Sequence, residues 1–185
     1  MAERLYLQDP YAVSFTAHIV ERVLLSQGRL AVVLDRTAFY PGTDGIPADH
    51  GWLNRAQVIG VRLRETDGEI LHLVSEEIWQ DEVQSRIDWP RRVDAMRQHT
   101  AGHLLGDALA QSCGVRMLGI SVSERGSCIE VERCDIPAAQ IEQMEMGANG
   151  VVLSNRSVRV ALVDAAQAAK LGVEAPPVDK SPGAG

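Results

Sequence analysis

Aromatic side chains are scarce, at 4% of 185 residues, so any core must be built mainly from aliphatic groups. No run of about 18 apolar residues occurs, which excludes a membrane-spanning helix as the organising element. The opening Met1-Ala2-Glu3-Arg4-Leu5-Tyr6 lacks the basic start, apolar stretch and small-residue cleavage site of a secretion signal, and we expect a soluble, cytoplasmic protein. Cysteine is limited to Cys113, Cys128 and Cys134, an odd number without a C-x-x-C pair, which argues against a disulfide framework. Positive charge is not in excess either. The formal net charge is −7, which speaks against a polybasic nucleic-acid binder but leaves room for a local basic groove. Neither an internal repeat nor a heptad is present.

What the chain does have is 45% hydrophobic and 23% charged residues, enough to fold as one large domain or two small ones. Its acidity is uneven: residues 1–90 carry 8 basic and 14 acidic side chains, residues 91–185 carry 10 and 11. The first part reads as β, with apolar stretches at 14–20, 28–34, 56–61 and 70–74 separated by turn residues, a spacing that suggests a small barrel. Near residue 88 the period changes. Asp88 suits a helix N-cap, Pro90 a first turn and Gly114 a C-terminal stop, so a helix is expected to about Ser112. A hairpin follows, with Leu118, Ile120 and Val122 alternating and Glu124-Arg125-Gly126-Ser127 as its turn. Asp135-Ile136-Pro137 opens a second helix with Ile141, Met144, Ala148 and Val151 near one face. A further strand through Val158, Val160 and Leu162, a short helix from Asp164 to Leu171 closed by Gly172, and a poorly ordered tail from Glu174 complete the expectation.

The sharpest chemical feature is His99-Thr100-Ala101-Gly102-His103, because an i, i+4 pair on a helix places two imidazoles on one face. That is metal-ligand spacing, though a polar core or surface pair would look the same. A zincin protease is excluded, since H-E-x-x-H needs a general-base Glu where Thr100 stands.

The wider context, Arg91-Arg92-x-x-x-Met96-x-x-His99-Thr100-x-x-His103-Leu104-Leu105, resembles the second-domain signature of the alanyl-tRNA editing proteins, the AlaX family. Phe39-Tyr40-Pro41-Gly42-Thr43-Asp44-Gly45-Ile46-Pro47-Ala48-Asp49-His50-Gly51 resembles the family's first-domain segment F-Y-P-x-x-G-G-Q-P-x-D-x-G. Leu5-Tyr6-Leu7-x-Asp9-Pro10-Tyr11, Ile129-Glu130-Val131 and Asn149 fit as well, so the likeness runs along nearly the whole chain in order. It implies an α+β protein: a translation-factor-like β-barrel domain over 1–88, then an alanyl-tRNA editing-type α/β domain over 89–185 with antiparallel sheet and helices. The implied activity is trans-editing, the hydrolysis of a wrong amino acid, typically serine, from the 3′ end of alanine tRNA. His99 and His103 would be zinc ligands, the ion either acidifying water or orienting the terminal adenosine. Thr100 would hydrogen-bond substrate or back-bond to its own helix. Arg91, Arg92 and Arg97 would neutralise tRNA phosphates or form a solvated helix face.

The likeness breaks at particular residues. The family's C-x-x-x-H motif, which completes the zinc site, has no counterpart, because no histidine follows His103; two of four expected ligands are present. Leu171-Gly172-Val173-Glu174-Ala175-Pro176-Pro177 resembles the segment that normally precedes that motif, and Cys128 and Cys134 read as core or turn residues. A third ligand would have to come from His50, His72 or Cys113. Asp44 and Ile46 replace a glycine and the glutamine, leaving Gly45 alone with the backbone freedom to approach a substrate or a partner domain closely. Ser121 falls about where the family often has a histidine. Three readings follow: an editing hydrolase, a metal-poor homologue serving as a tRNA-binding or interaction module, or a piece of a longer enzyme.

Overall fold

The structure, a computed structural model, describes residues 1–43, 45–133, 135–158 and 163–170. The chain divides at Asn149/Gly150 into two parts. Strands β1 (Glu3–Arg4) and β4 (Arg36–Thr37) form a short parallel pair. Strands β2 (Ser14–Leu24), β3 (Leu30–Leu34), β5 (Gly51–Leu53), β6 (Ala56–Leu63), β7 (Ile70–Val74) and β8 (Glu82–Ile87) close into a barrel of order β2-β3-β7-β6-β5-β8. Every neighbouring pair in it is antiparallel.

Alternation builds this barrel. In β8, Val83, Ser85 and Ile87 are buried while Glu82, Gln84 and Arg86 are exposed, the period of two that a half-buried strand requires. Register shifts explain where alternation slips: one between Val58 and Gly60 turns Val61 inward, and one between Ile19 and Glu21 leaves Glu21 exposed where the alternation calls for a buried residue. The barrel core is aliphatic, with Ile19, Val32, Leu34, Leu53, Val58, Ile70 and Val83 packed around a single fully buried aromatic, Phe39.

Helix α1 (Trp89–Cys113) follows the barrel directly. The Asp88 carboxylate accepts from the Arg91 N–H at 3.4 Å, Pro90 sits in the first turn, and Gly114 ends the helix at φ 61° with its N–H on the Ala110 carbonyl. Strands β9 (Met117–Ser123) and β10 (Gly126–Val131) then form the hairpin; its turn is only Glu124-Arg125, because Gly126 already pairs with Ser123. Helix α2 (Ala138–Leu153) presents Met144 to a small core of Leu109, Cys113 and Val115, whereas Ile141, expected on that face, is 44% exposed. Helix α3 (Ala165–Lys170) opens with a reciprocal cap: Asp164 accepts from the Gln167 N–H at 2.7 Å and Gln167 from the Asp164 N–H at 3.2 Å. Val158 is exposed and not in a strand; the rest of the strand expected there, Gly172, the segment 171–177, the tail, Asp44 and Cys134 lie outside the described residues. Among the described residues no helix is long and apolar enough to cross a membrane.

Candidate functional site

Helix α1 leaves the barrel with its first turn fastened to the segment 38–51. Asp88 N–H donates to the His50 carbonyl at 2.8 Å, and Arg91 Nε donates to the Ala48 carbonyl at 3.2 Å. Arg91 also pairs with Glu124 of the hairpin turn. Arg92 turns inward and is 5% exposed: Nε donates to Asp49 Oδ1 at 3.0 Å, Nη1 to the Pro10 carbonyl at 3.1 Å, and Nη2 to Asp49 Oδ2 and the Ala38 carbonyl. Of the three arginines expected at phosphates, Arg92 is thus committed to the protein interior and Arg91 is shared with Glu124. Arg97 is exposed, with no side-chain partner among the described residues.

One face of α1 is nearly bare. A Cβ on Gly102 would lie 1.8 Å from Ile120 Cδ1, and one on Gly106 would lie 2.8 Å from Met117 Sδ, so both glycines let β9 press against the helix. Gln98 secures the same contact, its amide reaching the Ser123 carbonyl at 3.4 Å and its carbonyl receiving the Ser127 hydroxyl at 2.5 Å. The hairpin is tied back to the barrel segment at Gly45, whose carbonyl accepts from the Val122 N–H at 2.7 Å. Gly45 therefore makes its close approach to another part of the protein, the backbone of β9. An open cavity of about 390 Å³ lies where these parts meet, lined by Pro47, His50, Arg91, Asp94, Gln98 and Glu124. Burial, and then the charge of Arg91, hold the His50 imidazole below its ordinary pKa.

His99 and His103 project from adjacent turns beside Gly102, with Nε2 atoms 3.1 Å apart and rings at 88°. Burial lowers the pKa of His99, and the neighbouring His103 lowers it further, so His99 favours its neutral, donor-ready form. The two nitrogens share a hydrogen bond, one imidazole donating to the other; a tetrahedral ion about 2.0–2.1 Å from each would take its place with the nitrogens about 3.3 Å apart. Thr100 is exposed and its hydroxyl donates to the Met96 carbonyl at 2.9 Å, a bond back to its own helix.

No family model matches the chain. It is 33% identical over 180 residues to the alanyl-tRNA editing protein AlaX-M of Methanosarcina mazei, covering 91% of this chain and 70% of that protein. AlaX-M of Methanosarcina acetivorans gives 32% identity, covering 91% and 72% of the two chains. The chain belongs to the alanyl-tRNA editing protein family. The alanine–tRNA ligase of Pyrococcus furiosus is also similar, 36% identical over 168 residues, though the match covers 84% of this chain and only 17% of that protein.

Within this AlaX-family chain the three residues named as sources of a third ligand do not join the pair. His72 is fully buried in the barrel, hydrogen-bonded to Thr37 and Val32. Cys113 is buried at the far end of α1, about 15 Å along the axis from His103, with its thiol toward the Gln140 carbonyl. His50 lines the cavity at the first turns of α1. Among the described residues no group of three His, Cys, Asp or Glu is placed to hold one ion. Ser121 and Cys128 are exposed cross-strand partners on the hairpin. Sequence reasoning gave no functional role to Asp49, Gln98 or Ile120. For Asp49 the signal was its place in the P-x-D-x-G segment; the other two carry no motif of their own.

Proposed function

We propose that this AlaX-family chain deacylates mischarged alanine tRNA in trans, with serine the amino acid removed. What supports the reading is the colinear match to AlaX-M over 91% of the chain, together with a histidine pair whose nitrogens stand 3.1 Å apart. A synthetase pocket built for alanine rejects an added hydroxyl weakly, so a second, hydrolytic site is what removes serine. His99 and His103 would hold a zinc ion, whose chemistry when bound is to acidify water or anchor the terminal adenosine. The chain's own contribution is to keep both imidazoles on one face, beside an exposed Thr100 hydroxyl that retains acceptor capacity. Arg97 faces the tRNA backbone.

Metal analysis and deacylation together test this. About one zinc per chain is expected, with serine released from Ser-tRNA(Ala), and His99→Ala or His103→Ala should lower both metal content and rate at least tenfold. A second reading, a metal-poor tRNA-binding module, is favoured by the two-donor set among the described residues. It prevails if the protein is metal-free and Ser-tRNA(Ala) survives at enzyme excess while binding persists. In either case Arg97→Gln should weaken tRNA binding and reduce the slope of log K against log salt by up to about 1, measured by filter binding over a salt series.

A further inference from the structure

The geometry points to the Asp49–Arg92 pair as the positioning element that sets the rotation of α1 about its axis, and with it the direction in which His99 and His103 face. Arg92 and His99 are seven residues apart, so on a helix they lie within about 20° of the same face, two turns from each other. Whatever fixes the roll of the helix at Arg92 therefore fixes it at His99. The guanidinium is planar and its donors are rigidly related. Here they are distributed over two segments: the Pro10 carbonyl on one, and the Ala38 carbonyl and both oxygens of Asp49 at the two ends of 38–51. Asp49 is itself held, since its Oδ2 also accepts from the Tyr40 N–H at 2.6 Å. A lysine at 92 would keep the charge and lose the fork, removing the orientation while retaining the attraction.

The far end of the circuit is equally specific. Ile120 Cδ1 occupies the space a Gly102 side chain would fill, and the Ile120 carbonyl lies against Gly45. Segment 38–51 thus grips α1 through Arg92, α1 grips β9 through Gly102, and β9 returns to that segment through the Val122–Gly45 bond. His99 and His103 flank the middle contact. Replacing the pair changes the roll, and a change of roll separates Ile120 from Gly102.

Two readouts test this, of which only the second rests on the editing reading. The first is the nuclear Overhauser contact between the Ile120 δ1 methyl and the Gly102 α-protons, measured in Arg92→Lys and Asp49→Asn. It should fall at least twofold while the barrel methyl contacts of Ile70 and Val83 hold. Should either single variant fail to fold, the double variant Arg92→Met, Asp49→Asn leaves no buried charge unpaired and serves in its place. The second is the kinetics of Ser-tRNA(Ala) deacylation: kcat should fall about tenfold with KM within about twofold, because misplacement of the reacting groups, not of the tRNA, is the defect. An unchanged Ile120–Gly102 contact in a folded variant overturns the proposal, as does a moved contact with unchanged kcat. A moved contact in a protein whose parent chain deacylates nothing overturns the editing reading and leaves the positioning role of the pair standing.

Discussion

Replacing Gly45 with alanine should cost about 2–4 kcal/mol of stability and detach the hairpin from the barrel segment. Gly45 has φ +82°, which costs a residue with a Cβ roughly 1 kcal/mol. The larger part comes from space. A Cβ there would lie 2.3 Å from the Ile120 carbonyl oxygen and 3.4 Å from Ser121 Cα, and these are backbone atoms of a paired strand that have no rotamer to escape into. Either β9 or the segment must move, at a cost of about 1–3 kcal/mol for an overpacked contact, and the Val122–Gly45 hydrogen bond lengthens with it. For a chain of this size the melting temperature should drop by roughly 4–16 °C. Gly114→Ala is the natural control, because that residue has a similar φ of +61° but nothing within 4 Å of its would-be Cβ, so only the conformational cost of roughly 1 kcal/mol applies. If the two variants melt together, the close approach at Gly45 carries no energy and the contact between segment and hairpin is incidental.

The same contact shows where sequence reasoning stops. That a glycine at 45 permits close approach is readable from the residue itself; that its neighbour is the β9 backbone is a long-range fact no local pattern encodes. Element identity was more legible. Asp88, Pro90 and Gly114 mark the ends of α1 by capping chemistry, and four of the six barrel strands announce themselves as apolar stretches. Strand β8 is missed because Ser85 occupies one of its three inward positions, which dilutes the alternation, and β5 because Gly51–Leu53 is too short to alternate at all. At the site, the spacing of His99 and His103 does predict the meeting of their rings, since both sit on one helix. The two adjacent arginines are the opposite case. Arg91 and Arg92 point about 100° apart, and which one turns inward depends on Asp49, more than forty residues earlier in the chain.

His72 supplies the second large effect: stability should fall by about 3 kcal/mol as the pH drops from 6.5 to 4. Strand parity already places it inside, since Ile70, His72 and Val74 share one face of β7, and the side chain is fully buried against Phe39, with ring centroids 5.4 Å apart. Its hydrogen bonds define a neutral tautomer. The Val32 carbonyl, 3.2 Å from Nδ1, can only accept, so Nδ1 carries the proton; Nε2 then accepts from the Thr37 hydroxyl at 2.8 Å, whose oxygen in turn accepts from the Phe39 N–H at 3.0 Å. A second proton would set Nε2–H against that hydroxyl and leave a charge in an aliphatic core, and burial accordingly pushes the pKa down to about 4. The sign follows from which state binds the proton. The unfolded chain protonates near 6.5 and the folded one only near 4, so the stabilisation is complete above 6.5, declines through the interval, and is constant below it with respect to this group. His50 and His99 are also depressed by burial and act in the same direction, so the parent chain alone does not isolate the effect. His72→Gln does: the unfolding free energy from urea titration at pH 7.5 should fall by about 1–2 kcal/mol for the altered hydrogen bonds, whereas the further loss between pH 6.5 and 4 should shrink by about 3 kcal/mol relative to the parent. Parallel pH profiles for the two proteins would mean that His72 takes up its second proton as readily in the fold as in the unfolded chain, Nε2–H then donating to the Thr37 oxygen while Nδ1–H stays on the Val32 carbonyl.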